Sequence, residues 1–145
     1  MTKIAVVPGD GIGVEVTRQA VKVLECAAEP AGLDLELVEW DLGAERYLRT
    51  GSAITEEEMA ELETGYRAIF LGALGDPRVP DHAHAREILL GLRFRLDLYV
   101  NLRPVRLHAT EFSPLRDIRP DDVDLVIFRE NTEGTYLGKI GRAHV

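Results

Sequence analysis

The stretch Lys3-Ile4-Ala5-Val6-Val7-Pro8-Gly9-Asp10-Gly11-Ile12-Gly13-Val14-Glu15-Val16 decides the fold class. Lys3 to Val7 is a short β-branched run closed by Pro8 and Gly9. An apolar run bounded by turn residues predicts a buried strand that ends in a tight loop. From Glu15 the apolar spacing becomes helical: Val16, Ala20, Val21, Val23 and Leu24 recur at three- and four-residue steps as far as Pro30-Ala31-Gly32. Strand, glycine turn and helix, in that order, open an α/β unit.

The alternation continues outward. Leu33 to Leu42 has strand period, and Gly43 to Arg49 reads as a helix stopped by Gly51. Thr55 and Glu58 have capping-box spacing, and the acids between them suit a helix start. Tyr66 to Leu71 is a second apolar strand, running into Gly72-Ala73-Leu74-Gly75-Asp76-Pro77, and a helix follows from about Ala83 to Leu96. Tyr99 to Leu107 is extended, with Pro104 inside it. Proline cannot donate to a ladder, which places this segment at an edge or a crossing point. Asp124 to Phe128 reads as a third buried strand, continuing into Arg129-Glu130-Asn131-Thr132-Glu133-Gly134-Thr135-Tyr136. Strands alternating with helices predict an α/β fold with a largely parallel sheet.

Composition narrows the class. The 145 residues are 46% hydrophobic and 29% charged, as in a globular protein with a core. A net charge of -8 argues against nucleic acid as a partner, because phosphate binding wants clustered Lys and Arg; a small anion needs only a local basic pocket. The single cysteine, Cys26, cannot form an internal disulfide, and its apolar helical setting predicts burial. No stretch reaches membrane-span length and the first apolar run is too short for a signal peptide, so the expected location is cytoplasmic, away from membranes.

Three features bear on chemistry. Gly9, Gly11 and Gly13 let the backbone turn sharply and approach a ligand, and they lead into a helix start whose free N–H groups favour anions. The spacing is neither that of a dinucleotide fingerprint nor that of a P-loop, and taken alone it fits a mere packing turn equally well. Arg93 and Arg95 end a helix, Arg103 and Arg106 lie on the next extended segment, and Arg129 ends a strand. Guanidinium groups grip carboxylates with paired hydrogen bonds, so such a set can hold a diacid; any one of them alone is ordinary surface charge. Tyr136 can donate a proton near a cation, or simply pack. His82 and His84 have no further ligand at metal spacing, which argues against zinc.

Together these segments resemble the isopropylmalate and isocitrate dehydrogenase family of β-decarboxylating dehydrogenases. Four motifs carry the resemblance, in order: Val7 to Gly13; Leu71 to Pro77; Leu89-Leu90-Gly91-Leu92-Arg93 through Asn101-Leu102-Arg103-Pro104; and Arg129-Glu130-Asn131-Thr132-Glu133-Gly134 with Tyr136. It covers nearly everything up to Gly138. The resemblance implies a two-domain fold around a shared, mostly parallel sheet, with residues 1–98 beginning a cofactor-side domain and 99–139 beginning a dimerisation domain. Residues 140–145 resemble a translated sequencing adapter and are expected to be a non-native tail on a truncated chain.

The resemblance also implies roles. Arg93, Arg103 and Arg129 would bind the substrate carboxylates and hydroxyl, with Leu89 at the side-chain pocket. Tyr136 would protonate the enol after decarboxylation. Ile12, Ala73, Gly75, Asp76 and Arg86 would line the NAD cleft. A Mg²⁺ or Mn²⁺ ion would polarise the ketone, but no metal ligand can be named here, since the family's metal-binding Asp residues and catalytic Lys fall beyond Val145. The implied partners are a 2-hydroxy diacid and, for the parent enzyme, a second subunit. Isocitrate enzymes place Ser and Asn where this chain has Glu87 and Leu89. An acid and an apolar residue disfavour a third carboxylate, whereas Leu89 and Leu90 suit a branched alkyl group. The expected substrate is therefore 3-isopropylmalate, with tartrate- or malate-type enzymes as the alternative, and the 145 residues alone are expected to be inactive.

Overall fold

The structure is a computed structural model that describes residues 1–133. The chain divides into two compact units, Met1–Leu96 and the residues from Asp97 onward. Each is described by itself. Tyr136 and residues 140–145 lie outside the described residues.

In the first unit the order is β1 (Thr2–Gly9), α1 (Ile12–Ala28), β2 (Leu35–Glu39), α2 (Ala44–Thr50), α3 (Glu56–Gly65), β3 (Ala68–Ala73) and, after a short 3₁₀ turn at Pro80–His82, α4 (Ala83–Arg95). The strands form a parallel sheet in the order β2-β1-β3. β1 is paired on both sides and buries Ala5, Val6 and Val7, as its unbroken β-branched run requires. Alternation then sorts the two faces. Ala5 and Val7 point into a core made with Leu42, Ala53, Met59 and Leu62 of the α2–α3 region and Ile88 and Leu92 of α4. On the opposite face Gly72 of β3 lies against Thr17 of α1.

α1 begins at Ile12, three residues earlier than its apolar spacing indicates. Its packed line is Gly13, Thr17, Ala20, Val21, Leu24 and Ala28, whereas Val16 and Val23 face out. Cys26 is exposed, against the expectation of burial. It sits two residues from both Leu24 and Ala28, about 200° around the helix from each, so it falls on the outer side.

The capping box forms as its spacing predicts: Glu58 N donates to Thr55 Oγ1 at 3.3 Å and Thr55 N donates to Glu58 Oε2 at 2.9 Å. Glu58 also accepts both guanidinium nitrogens of Arg46, at 2.6 and 2.7 Å, which ties the start of α3 to α2. Thr55→Ala should lower stability by about 1 kcal/mol, the usual cost of a lost N-cap. An unchanged urea midpoint would show that the Arg46 pair alone holds the helix start.

The second unit is an antiparallel ribbon of β4 (Val100–Arg106) and β5 (Asp124–Glu130), in register from Val100↔Glu130 to Arg106↔Asp124. Among the described residues the parallel sheet of the α/β class is thus confined to the first unit. Pro104 stands opposite Val126 within the ribbon. The sequence predicts β5 to be buried, and here the structure differs. Leu125, Val126, Ile127 and Phe128 are all exposed, Phe128 by 72%. Two strands have no interior, and among the described residues no third strand joins them.

Candidate functional site

The strand order sets where a ligand can enter. The chain passes from β1 outward to β2, then back across β1 to β3. The carboxyl ends of β1 and β3 therefore flank the point where the order reverses, the crevice in which open α/β sheets bind ligands. Two loops meet there. Asp10 N donates to the Ala73 carbonyl at 2.7 Å, and Gly13 N donates to the Asp10 carbonyl at 2.8 Å. Gly9 runs so close to Ala73 that an added Cβ would lie 2.1 Å from its carbonyl oxygen. Ile12, Ala73, Gly75 and Asp76 are gathered along this rim, with Ile12 68% exposed at the first turn of α1.

Behind the rim lies a buried polar knot that the sequence does not announce. Asp10 Oδ1 accepts the N–H of Ala44, the first residue of α2, at 2.6 Å. Its Oδ2 accepts the N–H of Gly75 at 2.8 Å and lies 2.7 Å from His84 Nε2. Burial alone would raise the Asp10 pKa. The hydrogen bonds from Ala44, His84 and Gly75 outweigh it and hold the carboxyl below its ordinary value of 3.8. A carboxyl lowered on folding contributes stability that is present above about pH 4 and is lost as pH falls through its folded value. The urea midpoint of the chain should therefore decline on acidification below about pH 4, and Asp10→Asn should flatten that part of the profile. A profile unaltered by the substitution would remove Asp10 as its source.

Asp76 is committed locally. Its carboxylate accepts from Arg78 N at 2.8 Å and from the Arg78 guanidinium at 2.7 to 3.2 Å, and this ion pair holds its pKa down to about 2. Arg86 lies further along, on the exposed side of α4, where it lines a groove of about 680 Å³ with Ala83, Glu87, Leu90, Gly91 and Phe94. Leu90 rather than Leu89 faces that groove; Leu89 is exposed on another side of the helix.

The arginines fall into two groups. Arg93 is in the last turn of α4, in the first unit. Arg103 and Arg129 belong to the ribbon, and its register decides their relation. Arg129 stands opposite Asn101, two residues from Arg103, so Asn101, Arg103 and Arg129 share one face. Diagonal neighbours of this kind lie about 7–8 Å apart, within reach of one small molecule for side chains as long as arginine. Asn101 Oδ1 accepts from Arg103 Nε at 3.0 Å and orients it. Beyond the strand, the Glu130 carboxylate accepts from Thr132 N and, at 2.7 Å, from Glu133 N, folding the loop after Arg129 into a compact turn.

The model of the isocitrate/isopropylmalate dehydrogenase family matches residues 3–144. The chain belongs to that family. It is 49% identical over 144 residues to the 3-isopropylmalate dehydrogenase of Corynebacterium kroppenstedtii, which covers 99% of this chain and 41% of the relative. It is 52% identical over 139 residues to the enzyme of that name from Bifidobacterium longum subsp. infantis, covering 96% and 39%. The chain thus spans about two fifths of the length of these relatives. Among solved structures it resembles the isocitrate dehydrogenase of Methylococcus capsulatus with a TM-score of 0.73 and 31% identity, over 95% of this chain and 37% of that one. It also resembles the apo β-decarboxylating dehydrogenase of Thermococcus kodakarensis, with a TM-score of 0.64 and 35% identity, over 92% and 35%.

The isocitrate/isopropylmalate dehydrogenase reading of the sequence thus stands for fold and family. Sequence reasoning missed Asp10 and His84. One signal was present: His84 occupies the buried stripe of α4 with Ile88 and Leu92, and a histidine on an apolar stripe needs a partner from elsewhere. Among the described residues no cluster of three or more His, Cys, Asp or Glu side chains could hold a metal ion, and no helix is long and apolar enough to cross a membrane.

Proposed function

We propose that this chain supplies the nucleotide crevice and two carboxylate-binding arginines of an NAD-dependent enzyme that oxidatively decarboxylates 3-isopropylmalate. The observation that carries the reading is the shared face of Arg103 and Arg129, with Asn101 orienting the first. Its substrate name rests on relatives at about 50% identity that bear it. In this reading residues 1–98 form the nucleotide side and 99–139 begin the dimerisation domain, in a parent that pairs with a second subunit.

The nucleotide reading is supported by the way the β1 and β3 loops close to backbone contact, leaving Ile12, Ala73 and Gly75 on an open rim beside the start of α1. Ile12, Ala73 and Gly75 would hold the nucleotide, which when bound would supply a hydride acceptor for the carbon that carries the hydroxyl. The chain's own part is to hold and orient. Arg93, Arg103 and Arg129 clamp the carboxylates, fixing the reacting carbon and balancing charge as carbon dioxide departs. Tyr136 returns a proton to the enol. The described residues hold no metal ligand set, so no step is assigned to Mg²⁺ or Mn²⁺ on this chain.

The test is a chimera joining residues 1–139 to the carboxy-terminal portion of the Bifidobacterium enzyme, assayed with NAD⁺ and Mg²⁺. NADH formation should be fastest with 3-isopropylmalate. Turnover of tartrate or isocitrate at an equal rate overturns the substrate assignment. The 145 residues alone should form no NADH. Arg103→Lys in the chimera should lower kcat/KM by about 10- to 100-fold, the worth of one charge-assisted hydrogen bond.

A further inference from the structure

We propose that His84 is a positioning residue: through Asp10 it fixes the Leu74–Asp76 loop against the Pro8–Gly13 turn and so sets the shape of the nucleotide crevice. The inference rests on the reading of that crevice as the nucleotide site.

His84 is wholly buried, with its ring tilted 37° to that of Tyr47 at 6.0 Å. An ionised carboxylate has only acceptors to offer, so the nitrogen facing Asp10 carries the proton. The other nitrogen, Nδ1, is buried without a hydrogen-bond partner among the described residues. Among the described residues Asp10 is therefore the ring's one hydrogen-bond partner, reached through the hydrogen on Nε2. Packing does not explain an imidazole here. A leucine would continue the stripe of Ile88 and Leu92 without leaving a nitrogen orphaned. What only the imidazole supplies is a donor to Asp10 Oδ2, the same oxygen that accepts from Gly75.

That oxygen is the joint. Gly75 is exposed and has a φ of 150°, a conformation that an L side chain rarely adopts. Its N–H is anchored by Oδ2, while Oδ1 is engaged by Ala44. With His84 in place the carboxylate is held from α2, from α4 and by the loop together, and cannot rotate. Without it, Oδ2 keeps only the loop's own amide, and the loop is tied to a carboxylate that swings about one remaining anchor.

The experiment uses the ¹⁵N-labelled 145-residue chain as wild type, His84→Leu and His84→Gln. The glutamine retains an N–H donor that can reach Oδ2. In the wild type, long-range imidazole correlations should show hydrogen on Nε2. In His84→Leu, amide exchange at Gly75 should quicken about tenfold relative to that at Ala5 and Val6, and His84→Gln should bring it back toward wild type. Equal acceleration at Gly75 and Val6, or identical behaviour of the two variants, would mean that His84 only stabilises the unit, and would overturn the proposal. So would a bare Nε2, a finding that needs no variant. Titration with NAD⁺ separates the two layers. If NAD⁺ moves the Ile12 and Gly75 resonances while exchange is unselective, the His84 role alone fails. If exchange is selective but NAD⁺ moves neither resonance, the nucleotide reading fails.

Discussion

Asp10→Ala is expected to destabilise the first unit by on the order of 3–5 kcal/mol, because one carboxylate satisfies three donors that have no second partner among the described residues. The Ala44 N–H and the His84 ring are buried, and the Gly75 N–H is partly so. Each donor left without an acceptor away from water costs about 1–3 kcal/mol, and the alanine removes all three acceptor contacts at once. A domain of this size holds only about 5–15 kcal/mol in total, so the loss should be visible as partial unfolding at room temperature. Asp10→Asn should cost less. Its amide oxygen can still serve Ala44, and His84 can offer a bare Nε2 by moving its hydrogen to Nδ1, although that hydrogen then has no acceptor. The single tryptophan, Trp40, packs edge-on to Tyr66 at 5.6 Å and reports unfolding by fluorescence. A urea midpoint for Asp10→Ala equivalent to less than about 1 kcal/mol of change would mean that the knot is ornamental to stability.

The second large effect separates two glycines that look alike in sequence. Gly9 and Gly11 both have positive φ, 76° and 51°. Among the described residues an alanine at Gly11 meets nothing within 4 Å, so Gly11→Ala should cost only its backbone conformation, φ 51° and ψ -120°, which an L side chain rarely adopts, about 1–3 kcal/mol. At Gly9 the same Cβ would sit 2.1 Å from the Ala73 carbonyl oxygen and 2.9 Å from its carbon. These are backbone atoms of β3, so no side chain can turn aside. β1 and β3 would have to part at the crevice, adding on the order of 2–3 kcal/mol to the conformational cost. Thermal melts of the two variants should therefore differ widely, with Gly9→Ala lower. Equal melting temperatures would show that the two strands are not in close contact there.

What the sequence determined by itself was everything carried by local periodicity and by short-range chemistry. The unbroken apolar run at Lys3–Val7, the helical spacing that follows it and the Thr55–Glu58 box each encode an element within its own span, and those elements form. The arginines were legible as a set because guanidinium groups at element ends suit carboxylates. The side of Cys26 could have been read from α1, had the packed line been traced through Gly13, Thr17 and Leu24 instead of through Val16 and Val23.

Tertiary structure alone decided the rest. Asp10 and His84 are 74 residues apart and meet only because β1 and α4 are brought to one crevice; no local pattern holds that distance. The register of β4 on β5 put Arg103 and Arg129 on one face, and a slip of one residue would have parted them. An apolar run such as Leu125–Phe128 specifies a strand but not what lies on either side of it, so its exposure in the ribbon could not be foreseen. Gly9 and Gly11 have the same side chain and similar neighbours in sequence. What distinguishes them is the carbonyl of a strand more than sixty residues downstream, and only folding brings that atom within reach.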